Sequence, residues 1–415
     1  MNGLIRVWLC GVVGVWGLVG ASGAAVAEQE AVDWQAWGVE HGQEAGKLAS
    51  KVFFADGEIG LGLVARGDLH GLAGQTLSRL GDAAGTEVAL AAMERTRKGM
   101  AEAVDRAGLD WVRADVLGQL GRLDEARAVA DATEDPVLRL LAQGLYGLAL
   151  GESGDEAGMR AAVGGVMEAL PAALKKQIDD EGWSDDWVMY QLVDMRLLAG
   201  DVEGALATAK AVPDEQLRQE TLGRVAMGLV ESGRVGEARR LVESVEAYME
   251  KMEAEARAQG GLDECEDCVD VGTIRIEVVG AWSALGEWDR AKAQVERSDP
   301  EWPSEKAESL SLMAVYMTGP EQVAARRQAF EQAVGMLGGI ESDWDKAWSA
   351  FYVGRDIARS GDLAAAQLLV EADKRPIVKG YAHAGLAWGV MMRVAPKRLG
   401  AGLADGGVGV VMPGG

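Results

Sequence analysis

The chain of 415 residues is poor in the residues that most enzymes use for covalent and metal chemistry. It has 3 histidines and 3 cysteines in its whole length. His41, His70 and His383 lie far apart in sequence, so no Ser/His or Cys/His pairing is suggested. No Gly-x-Ser-x-Gly, no Gly-x-x-x-x-Gly-Lys-Ser/Thr and no His-Glu-x-x-His occurs. No catalytic residue, cofactor site or metal site is therefore assigned. Proline is also scarce, at 9, while alanine and leucine recur throughout, which favours helices over strands. Positive charge is in deficit: 41 basic residues against 65 acidic ones give a formal charge of −24. Such a surface repels nucleic acid and anionic headgroups, and no basic cluster with interleaved aromatics offsets it.

The first residues read as a targeting segment. Arg6 supplies the positive charge and Val7 to Gly20 a short apolar stretch. Ala25-Val26-Ala27 then offers the small-x-small pattern of a cleavage site, with Glu28 as the first processed residue. Residues 1–27 are accordingly expected to be a signal peptide, the uncleaved anchor being the other reading of the same run. Removal takes away one base and no acid, leaving no membrane span. The expected location is outside the cytoplasm, in the periplasm or envelope of a bacterium.

Self-similarity organises the rest. A glycine, often followed by Asp, Arg or Glu, recurs with alanine five residues later: Gly121/Ala126, Gly200/Ala205, Gly233/Ala238, Gly286/Ala291, Gly319/Ala324 and Gly361/Ala366. Gly154-Asp155 is a seventh instance with Met159 in the alanine position. Gly121 to Gly154, Gly200 to Gly233 and Gly286 to Gly319 are each separated by 33 residues. Four residues before the glycine stand Leu117, Leu150, Arg196, Leu229, Trp282, Val315 and Ile357, apolar in all but one. The glycine is expected to end one helix in the left-handed conformation and the following Asp to cap the next. The alanine marks a close helix crossing. One hairpin cannot bury its apolar face alone, so neighbours must stack.

On those residues the chain resembles the tetratricopeptide repeat family over about residues 107 to 375, in divergent units. The resemblance implies an all-α fold, an α-solenoid of stacked antiparallel helical hairpins, with a groove lined by the first helix of each hairpin. Residues 28–106 read as an N-terminal helical cap or degenerate repeats. Within them Gly67-Asp68 is expected to be a turn, and Val88 to Ala107 one long helix. Residues 376–394 read as a closing helix and 395–415 as a disordered Gly-rich tail.

Insertions near 172–188 and 250–272 interrupt the array. The second holds Cys265-Glu-Asp-Cys268. In an oxidising compartment two close thiols are expected to form a local disulfide. The flanking Asp263, Glu264, Glu266, Asp267 and Asp270 oppose a reactive thiolate. A metal or interchain contact and a redox role are the other readings of the pair. The acidic stretches lack a calcium-loop pattern and read as solvated. Trp183 with Trp187, and Trp344 with Trp348, stand four apart and so share a helix face. Each pair is either core packing or an aromatic platform for a partner. The function expected is a non-enzymatic exported scaffold that binds a protein or peptide. The alternatives are a self-associating envelope protein and a helical enzyme acting on envelope carbohydrate.

Overall fold

The computed structural model describes residues 32–52, 59–181, 189, 192–194, 196–197, 200–258 and 271–394. Cys265, Cys268, Trp183, Trp187 and both ends of the chain lie outside the described residues. Among the described residues every regular element is helical and no strand occurs. None of these helices is long and apolar enough to cross a membrane.

The helices form antiparallel pairs. α1 is Trp34–Ala49, α2 Ile59–Leu80, α3 Ala83–Gly99, α4 Ala103–Gln119, α5 Leu123–Ala132, α6 Pro136–Glu152 and α7 Glu156–Glu181. After the partly described stretch 189–197 come α8 Val202–Ala211, α9 Glu215–Glu231, α10 Val235–Ala258, α11 Val271–Ala284 and α12 Trp288–Glu296. α13 Pro303–Tyr316, α14 Val323–Met336, α15 Asp343–Ser360, α16 Leu363–Ala372 and α17 Pro376–Val394 are the last of the described helices. α2 pairs with α3, α4 with α5, α6 with α7, α9 with α10, α11 with α12, α13 with α14 and α15 with α16.

Local chemistry makes the turns. Gly81, Gly121, Gly154, Gly200, Gly233, Gly286 and Gly361 have φ between 72° and 96°, the region only glycine enters without strain. In all seven turns the N–H after the glycine donates to the carbonyl five residues back, as in Arg122 to Leu117 at 3.0 Å and Asp201 to Arg196 at 2.8 Å. Asp82, Asp155, Asp201 and Asp362 then accept from the N–H three residues on, capping the next helix. Ala126, Ala205, Ala238 and Ala291 are fully buried at the crossing. Where Met159 replaces the alanine, Gly151 lies opposite and leaves room for its sulfur.

Three sequence expectations need correcting. Gly319 does not adopt the left-handed turn: its φ is −68° and ψ 144°, because Pro320 forces the preceding residue into extended backbone, and Ala324 is exposed. Gly67-Asp68 is no turn but lies inside α2, and the true turn is Gly81-Asp82. Thr86 takes its alanine position, with its hydroxyl donating to the Asp82 carbonyl at 2.7 Å. Val88 to Ala107 is two helices, divided at extended Met100, whose carbonyl and that of Ala101 both accept from Arg106.

The long helices also pack side by side: α2 on α4, α4 on α6, α9 on α11, α11 on α13, α13 on α15 and α15 on α17. α17 then packs on α2 and takes α1 as its partner, so the series returns on itself. The last hairpin is thus assembled from the first and last described helices. α17 approaches α15 closely enough that a Cβ on Gly385 would run into the Phe351 carbonyl and one on Gly389 into that of Arg355. Across the seam, Tyr381 donates to buried Asp68 at 3.1 Å, and His41 Nδ1 lies 2.6 Å from His383 Nδ1. Buried charges link other neighbours. Arg79 grips Asp115 through two bonds of 3.0 Å, and Arg224 grips Asp194 at 3.0 and 3.1 Å.

Candidate functional site

The return of the chain on itself changes which surface is open. α2, α4, α15 and α17 are buried on nearly every face along most of their length, so their side chains are packing elements first. A cleft of about 650 Å³ instead opens where α1 and α3 straddle α2. That volume is in the ordinary range for ligand pockets.

Small residues make the cleft. Gly42 and Gly46 stand one helical turn apart on α1, Ala73 lies on α2, and Gly85, Ala89 and Ala92 lie on α3. Larger side chains at those positions would fill the space between the flanking helices and α2. Leu63 and Leu77 add apolar surface, and Val88 stands on the rim 69% exposed.

Charge divides the cleft lengthwise. At the end where α3 begins, Asp82 accepts from Gln43 at 2.8 Å. At the other end Arg66, His70, Arg95 and Lys47 converge. Arg66 donates through Nε and Nη2 to the Val52 carbonyl at 2.9 and 2.7 Å, which fixes its fork at the end of α1. Lys47 pairs with Glu44 at 3.3 Å. His70 is only 9% exposed, and no hydrogen bond joins it to another described residue. Burial pushes its pKa down to about 4, with the Arg95 and Arg66 charges adding to the effect. It is therefore neutral at neutral pH and sits in a positive field within a chain of net charge −24.

The sequence expectations fall elsewhere. Trp344 and Trp348 are both on α15, half-buried, with ring centroids 6.1 Å apart in an edge-to-face arrangement. Tyr381 lies 4.9 Å from Trp348 and Phe351 5.7 Å, so the pair helps weld α15 to α17. The cleft residues were missed because they come from three helices. Two signals could have flagged them: Gly42 and Gly46 four apart, and Arg66 with His70 four apart in an acidic chain. Among the described residues no group of three or more His, Cys, Asp or Glu could hold a metal ion. No family model, curated protein or solved structure matches the chain.

Proposed function

We propose that this chain is a non-enzymatic, exported helical-repeat binding protein of the tetratricopeptide type, and that its ligand is captured in the cleft between α1, α2 and α3. The cleft carries the reading: it combines an apolar floor of small residues with a few convergent polar groups, the pattern of a binding site. The repeat reading draws support from the seven left-handed glycines and the pairwise antiparallel helices. The test fills the cleft. Gly46→Leu places a side chain where Ala73 is the nearest neighbour, at 3.6 Å from an added Cβ, so the helix tolerates it. Uptake of an apolar fluorescent dye should fall sharply while far-UV circular dichroism is unchanged. Undiminished uptake by a folded variant refutes the cleft as the site.

A protein partner has a footing of its own in the half-buried aromatic face of Trp344, Trp348 and Tyr352 on α15. Aromatic side chains of this kind anchor protein interfaces. Capture from envelope extract by the full processed chain, compared with Trp344→Ser, tests it. A protein recovered in near-equal amount by both forms would rule that face out.

A further inference from the structure

The chemistry of the cleft also narrows the ligand, an inference that rests on the cleft being the binding site. From Gly85 to Thr96, α3 lines it over about 17 Å of helical rise. Along that length the floor is Gly, Ala and Leu, and the main chain beneath it is already engaged in helical hydrogen bonds. A peptide laid there brings a donor and an acceptor with every residue and finds few partners for them. A hydrocarbon chain needs none and is rewarded for every methylene removed from water.

Polar demand is confined to the two ends, and the ends are opposite in sign. Asp82 repels an anion. Arg66, His70 and Arg95 attract one, and His70 supplies a polar ring, nine-tenths buried, that no hydrogen bond joins to another described residue. Arg95 is exposed and forms no ion pair among the described residues, so its charge is free to meet a ligand. We infer that the cleft binds a single-chain aliphatic carboxylate, a fatty acid, with its carboxylate between Arg66, His70 and Arg95 and its chain running over Gly46 and Ala73 toward Leu77. A carboxylate matches the exposed Arg95 fork through charge-assisted bonds, lies in the field of the Arg66 guanidinium held on Val52, and accepts from the His70 N–H. The bound anion offsets the two arginine charges that disfavour imidazolium, so His70 should become easier to protonate.

The experiment uses the full processed chain with dodecanoate and dodecanol as probes, read by calorimetry and by NMR titration of the His70 ring. Dodecanoate should bind at least about tenfold more tightly than dodecanol, the worth of one charge-assisted bond. It should raise the His70 pKa from about 4, and dodecanol should leave it unmoved. Arg95→Gln lies on the surface and should weaken dodecanoate about three- to tenfold without affecting dodecanol. Equal binding of the two probes, or an unshifted His70 on dodecanoate binding, overturns the carboxylate assignment and leaves the cleft standing. Binding of neither probe overturns the cleft reading as well.

Discussion

The seam between α1 and α17 should be acid-sensitive, because only one proton fits between His41 Nδ1 and His383 Nδ1 at 2.6 Å. In the neutral pair one Nδ1 carries hydrogen and donates while the other accepts. A first added proton can go to the outer nitrogen of the donor ring. A second must go to the accepting Nδ1, which sets two N–H groups against each other. Burial first, and then the His383 charge, lowers the His41 pKa to about 3. Burial lowers His383 to about 4, Lys379 acting in the same direction and Glu44 against it. Trp37, packed 4.0 Å from the His41 ring, adds no charge.

Both folded pKa values lie below the ordinary 6.5, so the unfolded chain binds more protons in this window. The stability contributed is fully present above pH 6.5 and is lost as pH falls toward 4 and then 3. At pH 5.2 the loss relative to pH 7.5 is about 1.8 kcal/mol for each histidine that stays neutral in the fold. The pair therefore loses between about 2 and 4 kcal/mol, the lower figure applying if the first proton is shared. That pH keeps the chain above its pI of about 4.6, so precipitation does not confuse the measurement. Urea unfolding of the natural chain and of His41→Leu/His383→Leu at both pH values isolates the effect, since His70 and the carboxylates are common to both. Equal pH dependence in the two proteins would refute the shared-proton clasp.

Other expectations follow from the packing. Gly385→Ala should cost at least about 1–3 kcal/mol by forcing α17 away from the Phe351 carbonyl, whereas Gly108→Ala, with open space around its position, should be near neutral in the same denaturant assay. Asp115→Ala leaves the buried Arg79 charge without its carboxylate and should cost about 3–5 kcal/mol in urea unfolding. Met159→Ala should leave a small void against Gly151 and cost less than about 2 kcal/mol, since Met159 is only partly buried. For Cys265 and Cys268, thiol titration of the denatured chain starting at Glu28 and produced in an oxidising compartment should find no free thiol; two free thiols would remove the disulfide expectation.

Much of the local architecture was legible in residue order. The glycine at a helix end, the Asp that caps the next helix and the alanine at the crossing each act within six residues, so their pattern survives in sequence. Helix α17 could be read in the same way from its apolar run. The misreadings share a cause. Gly67-Asp68 and Gly81-Asp82 carry the same dipeptide, yet Asp68 is buried against Tyr381 from a distant helix whereas Asp82 caps the helix after a left-handed Gly81. Gly319 was misread because Pro320 restricts it, a local effect that outweighs the repeat pattern.

What residue order could not carry is the pairing of α1 with α17 and the cleft beside it. His41 and His383 are 342 residues apart, and no periodicity links them. Their meeting depends on the accumulated rotation of every intervening hairpin, a sum of small packing angles that bulky and small side chains set pair by pair. The cationic end has the same origin. Arg66, His70 and Arg95 are ordinary charged and polar residues in sequence, and they become one site because α1 and α3 stand apart across α2. Hairpins and turns were thus decided by the sequence through short-range backbone chemistry, whereas closure, burial of the inner helices and the site itself were decided by tertiary packing, where contacts between distant residues set the geometry.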